Sequence, residues 1–235
     1  MKYIYHHLGL GDHIICNGLV RTLFDENERY FMFVKPHNLT AVKFMYKDLS
    51  NLDFLVGDDL FAKNYINNFS IPKEDLIVAG FYNHPESDYF DESFYLQNKI
   101  PVINRWLKFK VDRDINREME LFNKYNVKEN QYVFVHDDES RGFEINEGLI
   151  INKDLPIIRP KVGLTENIFD YCYLMENSVE SHFIDSSFRL IFDSLKLRNS
   201  DIFYHLKLKN GKGRNGEIYN WADSVNSILK FKIII

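Results

Sequence analysis

Residues 2–24 read KYIYHHLGLGDHIICNGLVRTLF, and this stretch decides the fold. Residues 2–7 are aromatic and β-branched, which is typical of a strand. In residues 13–24 the apolar side chains recur on one helical face. Gly9 and Gly11 lie in the short turn between the two segments. A strand, a tight turn and a helix in this order predict an α/β fold with parallel strands.

The alternation of strands and helices continues along the chain in two series. Further strands are predicted at residues 30–34, 52–56, 76–81, 132–136, 155–158, 181–184 and 202–206. Further helices are predicted at residues 39–46, 59–69, 116–125, 168–176, 187–197 and 219–229. Two series of similar size predict two Rossmann-like parallel-sheet domains that face each other across a cleft. We place the first domain at residues 1–127 and the second at residues 128–235.

Two segments stand outside this alternation. Residues 82–112 are polar and aromatic, contain Pro85 and Pro101, and show no clean period. Because so long a connection is uncommon in a compact domain unless it is functional, we expect an irregular arm at the mouth of the cleft. The apolar tail at residues 228–235 is open to three interpretations: a packed terminal strand, an edge that binds a partner, or an end that touches a membrane.

Composition excludes several classes of protein. The net charge is -5 and no basic face is visible, which argues against a partner nucleic acid. The residues are 45% hydrophobic and 15% aromatic, enough for a sizeable core. Cys16 and Cys172 are expected to be buried, reduced thiols. No signal peptide or transmembrane stretch is recognised, so we expect a cytoplasmic protein whose oligomeric state stays open.

The turn Gly9-Leu10-Gly11-Asp12 is the first candidate site. Glycines after a strand allow close approach of a ligand to the backbone, and a helix amino terminus favours negative charge. Asp12 has two interpretations: it caps the helix, or it takes a proton from an acceptor hydroxyl. His13 follows directly and is expected to contact the substrate. The third glycine of the dinucleotide motif and the Lys-Ser/Thr of the P-loop are both missing.

Three loops that follow strands of the second series form the other candidate site. They contribute His136, Ser140 and Arg141; Lys161 and Thr165; and Asp185, Ser186, Ser187 and Phe188. The planar fork of Arg141 suits phosphate oxygens, and Ser186 and Ser187 offer donors at a helix amino terminus. The alternatives are an ordinary acidic turn and helices capped without a ligand, with Thr165 as one of the caps. Since loops after parallel strands share one edge of a sheet, we predict that the three loops form one ligand site.

These motifs resemble those of a known group of enzymes. Gly9-Leu10-Gly11-Asp12 resembles the opening loop of heptosyltransferases and their two-Rossmann (GT-B) relatives, in which the loop's aspartate is the proposed catalytic base. Asp185-Ser186-Ser187-Phe188 is similar to the Asp/Ser-Ser-Phe segment of fucosyltransferase-like enzymes, which contacts the nucleotide diphosphate. The stretch from His136 to Arg141 and Gly142 resembles their strand–His–x–Arg loop, whose arginine neutralises that diphosphate.

The resemblance implies a glycosyltransferase that needs no cofactor. A sugar would pass from a nucleoside-diphosphate sugar to a hydroxyl of a glycan or lipopolysaccharide acceptor, with Asp12 as the base. Asp137 and Asp138 point apart in an extended chain, so we expect no metal site. Three alternatives stay open: a nucleotide-sugar epimerase or hydrolase on the same fold, a non-catalytic sugar- or nucleotide-binding protein, and a structural protein that assembles through its apolar tail.

Overall fold

The computed structural model describes residues 1–81, 84, 85, 87, 89–137, 142, 144–198, 201–205 and 227–234, together with the backbone of 211, 212, 218 and 219. The chain divides into two compact units between Asp112 and Arg113. This division precedes the boundary that we placed at 127/128. The reason is that α6 (Ile115–Tyr125) packs on residues 168–176 of the second unit.

The first unit is a parallel sheet with helices. Its strands are β1 (Lys2–His6), β2 (Tyr30–Val34), β3 (Leu52–Val56) and β4 (Leu76–Ala79). Its helices are α1 (Leu10–Leu23), α2 (Leu39–Met45), α3 (Asp59–Asn68), α4 (Phe90–Leu96) and α5 (Asn104–Leu107). The strands pair in parallel in the order β3-β2-β1-β4. Strand order reverses at β1, so the turn after β1 lies where open parallel sheets bind ligands.

The segment at residues 82–112 is not the irregular arm that we expected. Its described part contains α4 and α5, and both helices pack on α1. The hydroxyl of Tyr95 in α4 donates to the carbonyl of Ile15 at 2.6 Å. The Cα of Gly18 lies so close to the backbone of Asn104 that a side chain at position 18 would clash with it. The segment is therefore a structural layer of the first unit.

The second unit contains a larger parallel sheet. Its strands are β5 (Val133–His136), β6 (Ile157–Ile158), β7 (Glu180–Phe183), β8 (Asp201–His205) and β11 (Lys232–Ile234), with a separate pair, β9 (Gly211–Lys212) and β10 (Ile218–Tyr219). Besides α6, its helices are α7 (Cys172–Glu176) and α8 (Ser187–Ser194). The sheet order is β11-β8-β7-β5-β6, and every pairing is parallel. Strand order reverses between β5 and β7, which places a second ligand-binding edge there.

The prediction of two parallel-sheet units in an α/β fold is thus confirmed, and the arrangement of each unit is consistent with a Rossmann-like fold. The prediction of a helix at residues 219–229 is wrong at the positions that the structure describes. Tyr219 lies in β10, and residues 227–229 are not helical. The tail forms β11, the terminal strand that was one of its three interpretations.

Cys16 and Cys172 are buried and free. Among the helices of the described chain, none combines the length and the apolar character needed to cross a membrane.

Candidate functional site

A cavity of about 600 Å³ lies at the carboxyl ends of β5, β6 and β7, where the strand order of the second unit reverses. Cavities that bind cofactors or small substrates are roughly 300–1,000 Å³, so the volume is suitable for such a ligand. The structure brings six of the predicted residues together in its lining: His136, Lys161, Thr165, Ser186, Ser187 and Phe188. The three loops that we expected to share one edge of the sheet therefore line one cavity.

Aromatic rings form one side of this cavity. His136, the last residue of β5, stacks on Phe188 with ring centroids 4.1 Å apart and planes 28° apart. Tyr171 meets Phe188 edge to face at 5.4 Å. All three residues line the cavity, which makes this side aromatic and largely apolar.

The amino terminus of α8 forms another side. Ser186 is the N-cap in extended conformation, and its hydroxyl accepts a hydrogen bond from the Arg189 N–H at 3.5 Å. Ser187 begins the helix and also lines the cavity. Asp185 accepts a hydrogen bond from Nη2 of Arg189 at 3.1 Å, and the Arg189 side chain is only 2% exposed. Asp185 thus supports a buried arginine, while the two serines present donors beside a partial positive charge.

The 159–167 loop lines a third side of the cavity with the charged residues Arg159, Lys161 and Glu166. Tyr171 fixes its backbone, because its hydroxyl accepts from the Lys161 N–H at 3.1 Å and lies 3.3 Å from the Lys161 carbonyl. The exposed Lys161 ammonium group lies 5.7 Å from the ring centroid of Tyr125. It forms no salt bridge with any carboxylate in the described part of the chain. Lys161 is therefore a cation that a ligand anion can use.

Thr165 does not cap the following helical turn, as one of our interpretations required. Asn167 is the N-cap of the 3-10 turn Ile168–Tyr171, and its side chain accepts from the Phe169 N–H at 3.3 Å. The Thr165 hydroxyl instead donates to the buried carboxylate of Asp170, which also accepts from Arg117 at 2.8 Å. Thr165 therefore fastens the 159–167 loop at the edge of the cavity.

Ser140 and Arg141 lie outside the described residues, so the structure does not place them. A different arginine lines the cavity: Arg159, which begins the loop with Lys161 and Thr165 and to which we assigned no role. Its Nε donates to Asp137 at 2.7 Å, and its Nη1 lies 2.9 Å from Glu147. The signal that could have identified Arg159 is its position directly after β6, at the carboxyl end of a parallel strand.

The turn after β1 in the first unit is more closed. Gly9 is the N-cap of α1 with ordinary extended dihedral angles, and Asp12 is the third helical residue. A methyl group at Gly9 would lie 2.6 Å from Oδ2 of Asp12, so the carboxylate folds back over the start of the helix. Gly11 lies within the first turn of α1 and is half-buried. The glycine at position 9 thus provides space for the Asp12 carboxylate.

His13 lies in the interior of the first unit, not at a surface where it could contact substrate. It is 0% exposed and meets His6 edge to face, with ring centroids 4.4 Å apart. Neither ring nitrogen of His13 has a hydrogen-bond partner in the described residues. Burial lowers the pKa of His13 well below its ordinary value and that of His6 to about 4, so both rings are neutral at pH 7. The ring is buried because it lies on the face of α1 that packs toward β1.

The described residues contain no group of three or more His, Cys, Asp or Glu side chains that could hold a metal ion. No family model matches the chain, and neither a curated protein nor a solved structure is significantly similar to it. The candidate function therefore depends on the geometry of the two turns and the cavity.

Proposed function

We propose that this protein is a glycosyltransferase that moves a sugar from a nucleoside-diphosphate sugar to an acceptor hydroxyl of a glycan or lipopolysaccharide. One observation carries the proposal: three loops, each following a strand of one parallel sheet, line a single cavity at the reversal of strand order. Open parallel sheets bind nucleotides at this position.

The cavity presents the groups that a diphosphate needs. Lys161 contributes a full positive charge without a carboxylate partner in the described chain, and α8 directs its amino terminus toward the same space. Backbone N–H groups at a helix start and a nearby cation are a recurrent phosphate-binding combination. As the bond to the sugar breaks, negative charge develops on the leaving diphosphate, and the same groups would stabilise it.

The aromatic side of the cavity supports the nucleoside part of the proposal. His136 and Phe188 form a stacked pair, and a base placed against these rings would bury apolar area without requiring a charge. The sugar would then extend from the diphosphate, and we expect no cofactor beyond this donor.

The first unit supplies the base in this proposal. Asp12 would accept the proton of the acceptor hydroxyl, and the two units would work as the halves of a GT-B enzyme. Support comes from the position of Asp12 in the first turn of α1, directly beyond β1, where the first sheet reverses its strand order. A cytoplasmic location, where nucleotide sugars are available, belongs to the same proposal.

Affinity for nucleoside diphosphates tests the cavity directly. Ligand binding raises the melting temperature by mass action, so a thermal-shift screen of nucleoside diphosphates and their sugars identifies the donor class. Lys161→Ala should weaken the affinity of the best ligand roughly tenfold, because a charge-assisted hydrogen bond is lost. Lys153→Ala, another exposed lysine of the second unit, is the matched control and should leave affinity unchanged.

Turnover assays separate this function from its alternatives. Transfer to an acceptor, with little change of the donor when the acceptor is omitted, supports the proposal. Hydrolysis or epimerisation of the donor without any acceptor would favour the alternative enzymes. Equal nucleotide affinity in the wild-type protein and Lys161→Ala would remove the cavity from the donor site.

A further inference from the structure

Arg159 separates two cavities in the second unit. The first is the proposed donor cavity, and the second, of about 540 Å³, is lined by Asp137, Glu144, Ile145, Asn146, Glu147 and Arg159. Arg159 and Asp137 line both. The ion pair between Arg159 and Asp137 therefore lies where the two spaces meet.

The two carboxylates that hold Arg159 differ in strength. Asp137 is only 9% exposed, and its other oxygen accepts a hydrogen bond from the Ile145 N–H at 2.6 Å. Glu147 is 60% exposed and belongs to a single 3-10 turn, Glu147–Leu149. An ion pair with so exposed a partner contributes little free energy, whereas the pair with Asp137 is largely shielded from water. Arg159 is thus anchored on one edge and weakly held on the other.

We propose that Arg159 is a phosphate-binding switch that exchanges Glu147 for a phosphate oxygen when a diphosphate enters the first cavity. The inference rests on the proposed function, because it assigns an additional residue to the same donor site. The Asp137 contact uses Nε and persists, while the Nη1 edge turns from Glu147 to the ligand. The planar fork of arginine suits this exchange, since it can keep one carboxylate and accept a second anion along another edge.

The exchange has a structural consequence for the 3-10 turn. Glu147 is the side chain through which this turn contacts Arg159. Two backbone hydrogen bonds close the turn, from Leu149 N–H to the Asn146 carbonyl at 3.0 Å and from Ile150 N–H to the Glu147 carbonyl at 3.1 Å. Loss of the Arg159 contact leaves the turn attached by fewer interactions. Ligand binding would therefore increase motion of residues 147–149 and enlarge the connection between the two cavities.

Inorganic pyrophosphate is the probe, because it carries the diphosphate chemistry without base or sugar. Isothermal titration should give an affinity about threefold tighter for Glu147→Gln than for the wild-type protein, since a competing carboxylate of an exposed pair is removed. Glu144→Gln removes the same charge from the lining of the second cavity without contacting Arg159, and it should change affinity less. Arg159→Lys keeps the charge but loses the fork, so affinity should fall about tenfold.

Hydrogen exchange supplies a second measurement that does not depend on affinity. Pyrophosphate should speed amide exchange at residues 149 and 150 in the wild-type protein. In Glu147→Gln the exchange there should already be fast and should respond little to pyrophosphate. Arg159→Gln would leave Asp137 buried without its partner and could unfold the unit, which is why Arg159→Lys and Glu147→Gln carry the test.

The outcomes separate this inference from the proposed function. Pyrophosphate affinity that responds to Glu147→Gln and Arg159→Lys, in a protein that transfers no sugar, supports the switch and rejects the glycosyltransferase. Sugar transfer together with equal pyrophosphate affinity in the wild-type protein, Glu147→Gln and Glu144→Gln overturns the switch alone. Failure of the wild-type protein to bind pyrophosphate overturns the switch, and the turnover assays then decide the glycosyltransferase proposal alone.

Discussion

The turn after β1 and the cavity beyond β5 and β7 occupy equivalent places in two parallel sheets, yet they differ in what fills them. In the first unit the Asp12 carboxylate folds over the helix start, and His6 and His13 lie buried against each other. In the second unit the corresponding space is a cavity lined by aromatic rings and by charged side chains of both signs. Strand order selects the place for a site, and the side chains after each strand decide whether it is open to a ligand.

In our proposal, the turn after β1 and the cavity of the second unit also have different roles. The second unit presents Lys161 and the start of α8 to a ligand, so it is suited to binding. The first unit presents one half-buried carboxylate at the start of α1, so in our proposal it contributes chemistry with little binding. Mutations in the two turns should therefore change different kinetic constants.

The largest effect is expected for Asp12→Asn. The amide cannot accept the acceptor proton, and loss of a general base typically lowers the rate about 10²- to 10⁴-fold. The affinity for nucleoside diphosphate, measured by titration, should stay at the wild-type value because our proposal places the donor in the second unit. Wild-type turnover in this variant would contradict the role of Asp12, and weakened nucleotide affinity would contradict the division of tasks.

The cavity of the second unit could be predicted because its residues follow short strands whose ends are marked by polar turns. Val133–His136 and Glu180–Phe183 are flanked by polar turns, so the carboxyl end of each strand was recognisable. Parallel pairing then brings His136 and Ser186 to one edge, as the structure shows. Local sequence was sufficient to predict which residues meet at this cavity, because they lie at the ends of strands.

The layer formed by α4 and α5 could not be predicted in the same way. The ion pair between Asp91 and Arg105 is completely buried, and Arg105 also lies 4.8 Å from the Trp106 ring centroid. In a single sequence two charged residues in a segment rich in polar groups indicate a loop. Their pairing depends on how α4 and α5 pack on α1. This is a long-range contact, and the local pattern of apolar residues does not predict it.

The burial of His13 escaped prediction for a related reason. A histidine beside a glycine turn is a reasonable ligand contact, but the ring turns inward toward His6 of β1. The direction of a side chain in the first turn of a helix depends on how the helix lies on its sheet. We expected the His13 ring to face a ligand, whereas it lies on the face of α1 that packs toward β1.

The next largest effect should be a loss of stability in acid that begins in the first unit. Burial lowers the pKa of His6 to about 4, so between pH 6.5 and 4 the unfolded chain binds a proton that the folded unit does not. Stability therefore falls as the pH falls through this window, by about 3 kcal/mol for His6 at its lower end. Hydrogen exchange of the β1 and α1 amides between pH 7 and 4 measures this loss of stability.

Two comparisons sharpen this prediction. His37 is exposed, so His37→Gln should leave the acid profile unchanged. In the second unit His182 is also buried, but its ring nitrogens lie 2.5 Å from Glu180 and 2.7 Å from His205. Because Glu180 partly offsets the cost of charging His182, the β7 amides should lose less protection than those of β1 as the pH falls from 7 to 4. Equal loss of protection in both sheets would contradict the distinction.

The smallest effect on stability is expected for Gly9→Ala, which tests whether the position of the Asp12 carboxylate matters. The dihedral angles at position 9 suit alanine, and the new methyl group would meet only the end of a flexible side chain at 2.6 Å. Unfolding should therefore change by less than about 1 kcal/mol, while transfer falls about tenfold because the base is displaced. Since this loss acts through Asp12, adding Gly9→Ala to Asp12→Asn should produce no further decrease in rate. A further decrease of about tenfold in the double variant would show that the glycine serves the reaction independently of Asp12, as a point of close ligand approach.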